Sequence, residues 1–429
     1  MPSEITKAFL SAFLEYDTVK VVHIKSKKAG IINRITQLVI IVYIIGVAII
    51  YMKGYQTFSS IESSTTTKVK GAAYTNFSTK EFNPHLRNIE DYRRIWDVAD
   101  YVVPPSESGS FFVTTNIVIT SNQTQSTCPE DPEIPGAVCD PNNNTCQAGT
   151  PTLLGNGMMT GACVTSDINS KTNVCEIYAW CPVEQDLNPL IKNKALLSAS
   201  KNFTVLIKNF VEFPKFNIRR RNILDTSNKT YLRGCHYHPR TNPACPIFVL
   251  GEIVAEAGED YDAMATKGGV IAIIIEWDCN FDYDENYCIP KYSFRRLDDP
   301  KAKLAKGWNF RFANYFSDNT RSLYKVYGIK YVVIVHGKGG KFNFVPLLIN
   351  IGSGLGLLAV ATVIGDIIVL YVLKKRKYYR SKKFQLAFVE DEEGSCKDKT
   401  DLAVRKRKNE NCNSDCPETF KLNESQQTK

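Results

Sequence analysis

The fold is decided by residues 341–380, which read KFNFVPLLINIGSGLGLLAVATVIGDIIVLYVLKKRKYYR. Residues 342–373 contain a single charged side chain, Asp366, and a cluster of lysine and arginine follows them. An apolar helix needs about 20 residues to cross a bilayer, so a membrane span is predicted at 342–373. Asn350 and Asp366 would be costly against lipid and should face protein or water. These polar residues and the many glycines favour a pore helix over a plain membrane anchor.

A second apolar run lies near the start of the chain. Residues 35–52 carry no charge, and as a helix they would cover about 27 Å, which is enough for the hydrocarbon core. Basic residues precede the first run and follow the second in the sequence. The positive-inside rule therefore predicts that both chain ends are cytosolic. The predicted order is a cytosolic N-terminus at 1–34, a first span at 35–53, an extracellular block at 54–341, a second span at 342–373 and a cytosolic tail at 374–429.

The block between the spans has the composition of an extracellular domain. It holds ten of the 13 cysteines, an even number, which suits disulfide bonding in an oxidising compartment. Short runs rich in β-branched and aromatic residues predict a β-rich body. Residues 128–181, with six cysteines and much Pro, Gly and Asn, predict a disulfide-stapled head that is poor in strands. Five N-x-S/T sequons predict glycosylation at Asn76, Asn122, Asn143, Asn202 and Asn228.

Several functional classes are disfavoured. The formal net charge is +9, but much of it lies beside the spans, where it would meet anionic membrane lipid rather than nucleic acid. The glycine-lysine pairs lack the spacing of a phosphate-binding P-loop, and the hydrolase and zinc-protease motifs are absent from the sequence. We therefore expect neither an enzyme, nor a cofactor, nor a resident metal site.

Cationic side chains recur at alternate positions of the predicted strands. Alternation places Lys68 and Lys70 on one face. Other sets that share a face are Thr204, Leu206 and Lys208, then Asn309 and Arg311, and then Arg321, Leu323 and Lys325. A single strand lysine is usually only a solvated surface residue. Like charges on one face repel, however, and an anion between them would relieve the repulsion. A polyphosphate is the obvious candidate.

The order of motifs along the chain resembles a known family. Y-x-T-x-K begins at Tyr16, K-V-K-G at Lys68, N-F-T-x-x-x-K-N at Asn202, G-G-V-I-A-I-I-I-E-W-D-C-N at Gly268 and N-F-R-F-A at Asn309. I-N-I-G-S-G follows in the second span, and Y-x-x-x-K closes the series at Tyr378 and Lys382. From Tyr16 to about residue 383 the chain resembles the ATP-gated cation channels, the ionotropic purinergic receptors.

The resemblance implies a homotrimer or heterotrimer that binds ATP between subunits. Lys68, Lys70, Thr204 and Lys208 would come from one subunit, and Asn309, Arg311 and Lys325 from its neighbour. The lysines and the arginine would neutralise the triphosphate, Thr204 and the Lys68 backbone would hold adenine, and Leu206 would pack on the ribose. The ligand would be ATP, with or without a divalent cation.

The resemblance also implies roles for cysteines and for the chain ends. The implied disulfides are Cys128–Cys181, Cys139–Cys163, Cys146–Cys175, Cys235–Cys245 and Cys279–Cys288; sequence spacing alone leaves many pairings open. The resemblance makes Tyr378 with Lys382 a trafficking signal. The Y-x-T-x-K triplet at Tyr16 is by itself the pattern of a basophilic-kinase site at Thr18, and the alternative is a solvated tail. Gly365 and the Pro- and Asn-rich stretch 128–163 depart from the family's usual pattern.

The interpretation that accounts for most of these features is a plasma-membrane, non-selective cation channel opened by extracellular ATP. Ile349, Asn350 and Ser353 are the pore-lining candidates near its gate. Two alternatives remain at this stage. One is a two-span trimeric channel of the acid-sensing or epithelial sodium type, and the other is an ectoenzyme held by two anchors.

Overall fold

The computed structural model describes residues 27–86, 88–143, 145–151, 154–223, 229–372 and 376–383. The described residues form two compact units, one of residues 34–361 and one of residues 27–33, 362–372 and 376–383. Two residues singled out from the sequence, Thr18 and Asn228, lie outside the described residues.

A β-rich domain lies between two helical segments. Its strands are β1 (Gln56–Ser60), β2 (Glu62–Lys70), β3 (Ala73–Tyr74), β4 (Ile95–Trp96), β5 (Ser110–Pro129), β6 (Met158–Thr165), β7 (Asn173–Cys181), β8 (Thr204–Phe213), β9 (Ile218–Arg221), β10 (Ile247–Val249), β11 (Gly269–Asn280), β12 (Lys291–Arg296), β13 (Asn309–Ser317) and β14 (Thr320–Phe342). The α-helices are α1 (Lys27–Val42), α2 (Val98–Tyr101), α3 (Lys229–Gly234), α4 (Leu250–Glu256), α5 (Tyr261–Lys267), α6 (Phe344–Ile367) and α7 (Arg376–Lys383). Two π-helical segments, Tyr43–Tyr51 and Ile368–Val372, extend α1 and α6, and short 3-10 helices are Ile89–Tyr92, Ile191–Asn193, Ser198–Asn202 and Glu285–Tyr287.

Strand β14 organises the larger sheet. This eight-stranded sheet has the order β12-β11-β14-β5-β7-β6, and β1 and β13 also pair with β14. The sequence of β14 is rich in Tyr, Val and Ile, which favour strands because branched and aromatic side chains pack well on a pleated surface. The strand is antiparallel to β5 and parallel to β11, and its last residues pair with β1. One uninterrupted strand thus leads from the middle of the β-rich domain to α6.

Glycines near the end of β14 allow neighbouring groups to approach closely. A Cβ added at Gly337 would lie 2.1 Å from the carbonyl oxygen of Trp277, and one at Gly339 would lie 2.4 Å from the Phe281 ring. Both distances are far shorter than a carbon atom tolerates. These glycines therefore provide space for β11 and for the Phe281 ring.

The smaller, four-stranded sheet buries only one of its faces. Its strand order is β10-β8-β2, with β9 pairing on the far part of β8. Val69, Val205 and Ile207 point into the same core cluster as residues of the larger sheet, including the fully buried Trp277. The indole of Trp277 donates to Oδ1 of Asn209 at 2.8 Å, so a buried donor and a buried acceptor satisfy each other. The residues that alternate with this core set face outward.

Five disulfides staple the domain. They are Cys128–Cys181, Cys139–Cys163, Cys146–Cys175, Cys235–Cys245 and Cys279–Cys288, the same pairs that the family resemblance implies. The sulfurs of Cys139, Cys146 and Cys175 lie within 4.8 Å of one another. Because all three are oxidised in disulfides, they offer no thiolate to a metal ion.

The head, residues 128–181, contains more strand than its composition predicts. Strands β6 and β7 pair with each other, and β7 also pairs with the end of β5. In β7, buried residues alternate with more exposed ones, as expected for a strand with one face in the core. The many Pro, Gly and Asn residues of the surrounding segments had lowered the predicted strand content of the whole head. The prediction of a strand-poor head was therefore wrong in this part.

Two described helices are long and apolar enough to cross a membrane, at Gly30–Tyr51 and Phe344–Val372. The first begins before the predicted boundary at residue 35, because the helix continues through Arg34, whose guanidinium donates to Gln37 at 2.9 Å. The second begins after the predicted boundary at residue 342. Phe342 still belongs to β14 and pairs with Gln56, and the Asn343 side chain then accepts a hydrogen bond from the Val345 N–H at 2.9 Å. This last contact marks the start of the helix.

Candidate ligand-binding site

Five of the predicted ligand-binding residues lie together on the outer face of β2 and β8. We call this set the lysine face: Lys68, Lys70, Thr204, Leu206 and Lys208. In the antiparallel register Lys70 is opposite Thr204, Lys68 is opposite Leu206, and Lys208 is opposite Thr66. The three lysines are exposed, while the intervening Val69, Val205 and Ile207 are buried. The ammonium groups of these lysines have no ion-pair partner within the part of the chain that the structure describes.

The lysine face ends at a residue that has to be glycine. Gly71 follows Lys70 with φ +155°, and a Cβ there would lie 2.2 Å from the Phe203 ring. The Tyr101 hydroxyl donates to the Gly71 carbonyl at 2.8 Å and holds this turn against the core. The K-V-K-G motif thus combines two outward lysines with a glycine that lets the chain pass over Phe203.

The other predicted ligands lie on β13 and β14 of the larger sheet, where Arg311 and Lys325 pair with two acids. We call this set the acid-paired face: Asn309, Arg311 and Lys325 together with Glu184 and Asp186. Arg311 is opposite Lys325 in the strand register. The Arg311 guanidinium makes a bidentate pair with Glu184, with Nε at 2.7 Å and Nη2 at 2.9 Å from its oxygens.

Lys325 is buried, with only 6% of its surface exposed. Its ammonium group lies 3.5 Å from Glu184 and makes a closer ion pair with Asp186. The Tyr327 hydroxyl donates to the same Asp186 carboxylate at 2.5 Å. A buried ammonium is tolerated only when it is paired in this way.

The charges of this face also act on its titratable groups. The hydrogen bonds that the Arg311 guanidinium donates to Glu184 raise the pKa of that guanidinium. Burial, and then the hydrogen bond with Asp186, raises the pKa of the Tyr327 hydroxyl. Both side chains therefore keep their protons at neutral pH, and each acts as a hydrogen-bond donor.

A polar cavity of about 430 Å³ opens beside the acid-paired face. Asn309, Lys325 and Asp186 line it, together with two further lysines, Lys267 and Lys306. Lys267 ends α5, and its carbonyl accepts a hydrogen bond from the N–H of Trp308 at 3.1 Å, which holds the loop of Lys306 close by. The cavity is of a size and polarity that suit a phosphate chain.

The two faces are not brought together within one chain. The lysine face lies on the four-stranded sheet and the acid-paired face on the eight-stranded sheet. Among the described residues no hydrogen bond or ion pair joins a member of one face to a member of the other. Each face is thus half of a possible site, as the family resemblance implies.

In the second span, the three pore candidates differ in their surroundings. The Asn350 amide donates to the carbonyls of Gly54 at 2.7 Å and Pro346 at 2.9 Å, which ties it to the end of the first span. Ile349 and Ser353, in contrast, are exposed. Gly354 faces the first span, since a Cβ there would lie 3.0 Å from Ile44. A pore-lining role for Ile349, Asn350 and Ser353 stays a prediction.

The modification candidates that the structure describes lie at accessible positions. The four described sequon residues are exposed: Asn76, Asn122, Asn143 and Asn202. Tyr378 is 60% exposed on α7, the helix that also contains Lys382. Sugar attachment and the trafficking role stay predictions.

Comparison with known proteins identifies the family. The family model of the ATP P2X receptors matches residues 14–386. The chain is 49% identical to mouse P2X purinoceptor 4 over 391 residues, which cover 90% of this chain and 96% of that protein. It is 43% identical to mouse P2X purinoceptor 5 over 385 residues, which cover 88% of this chain and 81% of that protein. The chain belongs to the ATP P2X receptor family, as the motif order predicts.

Solved structures support the same conclusion. A P2X receptor from the Gulf Coast tick, determined with ATP and Zn²⁺, matches with a TM-score of 0.76 and 55% identity, and covers 79% of this chain and all of that one. The chicken ATP-gated P2X7 receptor channel, determined with the competitive antagonist TNP-ATP, matches with a TM-score of 0.68 and 39% identity, and covers 80% of this chain and 99% of that one. The predicted fold, a membrane protein with two spans around a β-rich, disulfide-stapled domain, is confirmed.

Proposed function

We propose that this chain is a subunit of a trimeric, plasma-membrane, non-selective cation channel that extracellular ATP opens. The observation that carries the proposal is the lysine face, where three lysines share one exposed surface and have no carboxylate partner among the described residues. ATP carries about four negative charges at neutral pH, and charge-assisted hydrogen bonds to phosphate are among the strongest in proteins. The tick and chicken proteins, determined with ATP and with TNP-ATP, support this choice of ligand.

The bound nucleotide would lie between the lysine face of one subunit and the acid-paired face of the next. Lys68, Lys70 and Lys208 neutralise phosphate from one side, and Thr204 and Leu206 contact the nucleoside. From the other side, Asn309, Arg311 and Lys325 complete the phosphate site. The subunits assemble as a homotrimer or with related chains as a heterotrimer. Without nucleotide, Glu184 and Asp186 neutralise Arg311 and Lys325, so the triphosphate competes with these carboxylates for the same donors.

Opening would follow from differential affinity. A ligand shifts a closed channel to an open one only by binding the open state more tightly, and three sites multiply that preference. Strand β14 carries Lys325 near one end and leads into α6 at the other. A displacement of β14 on nucleotide binding would therefore reach the outer end of the pore helix directly.

The membrane topology belongs to the same proposal. Both chain ends are cytosolic, because basic residues precede the first span and follow the second in the sequence. The β-rich domain with its sugars is extracellular. The basic cluster after the second span would contact anionic lipid. The ligand is ATP, with or without a divalent cation, and the chain needs no cofactor and performs no catalysis.

Whole-cell recording tests this function and separates it from its alternatives. In cells that express only this chain, ATP should evoke an inward cation current at neutral pH, and acidification without ATP should not. An acid-sensing channel would give the opposite pattern. An ectoenzyme would release phosphate from ATP at the cell surface without carrying current. Absence of an ATP-evoked current, with the protein present at the surface, would exclude the proposal for the homomeric form.

The gate can be located with cysteine at Ser353. Ile349 and Ser353 are separated by one helical turn and share a face of α6, and both are exposed in the single chain. We expect Ser353→Cys to react with a charged, membrane-impermeant thiol reagent much faster when ATP is present, and the reaction to block current. Leu355→Cys, two residues after Ser353 and therefore on the opposite side of the helix, is the matched control and should react equally with and without ATP. Equal rates at Ser353→Cys would place the gate elsewhere.

A further inference from the structure

A second cavity, of about 250 Å³, lies between β10, α4 and β12. Its inner wall is aromatic, formed by Tyr237, Phe248 and Phe294. The ring centroid of Tyr237 lies 4.8 Å from that of Phe248 and 5.8 Å from that of Phe294. Val249 and Ile253 extend this apolar lining. The volume suits a ligand about the size of a single ring with a short side chain.

The rim of this cavity is acidic. Glu252 and Glu256 line it from α4, one helical turn apart, and both are exposed. Neither carboxylate has a hydrogen-bond or ion-pair partner among the residues that the structure describes. Like charges at this spacing repel each other, and Glu256 ends the helix, where negative charge is unfavourable. The rim is thus a place where a bound cation would relieve two unfavourable interactions.

The Glu256 carboxylate also acts on the aromatic wall. Burial raises the pKa of the Tyr237 hydroxyl, and the charge of Glu256 raises it further. The field of this carboxylate therefore reaches into the cavity. Aromatic faces attract cations as well, so the wall and the rim favour the same kind of ligand.

A metal ion does not fit this arrangement. His238 is the lining residue that could bind a metal ion together with the two glutamates, and its Nδ1 accepts hydrogen bonds from the N–H groups of Arg240 and Thr241 at 3.2 and 3.3 Å. Within the described ranges, the ligand atoms of His238, Glu252 and Glu256 do not converge within 4.8 Å, the spacing at which three groups could share an ion. The two carboxylates lie at the edge of an apolar cavity and do not converge on one position that an ion could occupy. This geometry calls for a cation with an apolar body.

We propose that this cavity binds a small organic ammonium ion with an aromatic body. The ring packs against Tyr237, Phe248 and Phe294, and the ammonium group lies at the rim with Glu252 and Glu256. The site is distinct from the nucleotide faces but close to one of them, because Val249 of β10 is paired with Thr204 of the lysine face. An occupant would thus contact the strand that supports the nucleoside end of that face.

Benzylamine, which is protonated at neutral pH, and neutral benzyl alcohol are matched probes for this site. Saturation-transfer NMR on the full-length protein in uncharged detergent, without ATP, measures binding of each. We expect saturable binding of benzylamine and at least tenfold weaker binding of benzyl alcohol, because a charge-assisted contact with a carboxylate is lost. Organic cations can block cation pores, and measuring binding rather than current avoids that confusion. The result is also independent of whether ATP opens the channel.

Variants assign the binding to this cavity. Glu252→Gln combined with Glu256→Gln should weaken benzylamine binding at least tenfold, and Ala255→Phe, which fills the cavity from α4 and keeps both charges, should abolish it. Glu285→Gln, an exposed acid elsewhere in the domain, should leave it unchanged. Equal binding to the wild type and to both cavity variants, or no saturable benzylamine binding to the wild type, would overturn the proposal.

Discussion

Replacing Lys70 with alanine is expected to raise the half-maximal ATP concentration by roughly tenfold to more than a hundredfold. Lys70 is exposed at the end of β2, shares its face with Lys68, and has no described carboxylate partner. Loss of a charge-assisted hydrogen bond to phosphate costs ~1.5–3 kcal/mol, and each 1.4 kcal/mol is about tenfold in concentration. The measurement is an ATP dose–response curve by whole-cell recording.

Two further variants test whether the effect of Lys70→Ala comes from a lost phosphate contact. Lys70→Arg should recover only part of the loss, because a planar guanidinium does not replace a compact ammonium. Lys291→Ala removes an exposed strand lysine outside both faces and should shift the curve by about twofold at most. Surface biotinylation must show equal expression, since a folding defect also removes current. An unchanged curve at equal surface expression would remove Lys70 from the site.

Lys325→Gln is expected to have the larger effect, about thirtyfold to several-thousandfold in half-maximal ATP concentration. The ammonium group is buried, and it neutralises Glu184 and Asp186. Without it, two carboxylates would face the triphosphate with only Arg311 to balance them. Truncating one partner of a buried charge pair costs about 2–5 kcal/mol in binding. The same dose–response measurement applies.

A double variant distinguishes this electrostatic cause from simple misfolding. Asp186→Asn added to Lys325→Gln removes one of the unbalanced carboxylates and should recover at least part of the ATP sensitivity, by about tenfold. Lys330→Gln is the matched control on the same strand, since Lys330 is also partly buried and pairs with Glu107 at 2.6 Å. It should change ATP sensitivity little. A double variant as insensitive as Lys325→Gln would contradict the assigned role of Asp186.

Local sequence signals were sufficient for the overall architecture. The two spans follow from uninterrupted apolar runs, and the β-rich domain from alternating patterns, because both depend on residues that are neighbours in sequence. The exact ends of the second span did not follow, since Phe342 is equally suited to a strand and to an apolar helix. Phe342 belongs to the strand because it pairs with Gln56, a residue far away in sequence. Similarly, cysteine spacing alone did not determine the disulfides, and the family resemblance was needed.

The composition of the acid-paired face could be predicted only in part. Arg311 and Lys325 were found because alternation places them on a strand face, but Glu184 and Asp186 lie on an irregular segment far away in sequence. The end of β7 pairs with β5, which is itself paired with β14, and this arrangement brings the segment after Cys181 to Lys325. A pair of acids directly after the last cysteine of the head was the available signal. This signal predicts negative charge on the segment, but it does not indicate which basic residues the two acids would pair with.

The continuity of β14 has a consequence for how such chains can diverge. From Lys325 to Phe342 the strand contains no loop, and at roughly 3.3 Å per residue it covers about 55 Å. Because side chains alternate, inserting or deleting one residue in this interval would turn every later side chain to the opposite face and misalign the strand with β1 and β11. Surface loops outside the sheets carry no such constraint. Among relatives that use this construction, the length of the interval should therefore be invariant even where its residues differ.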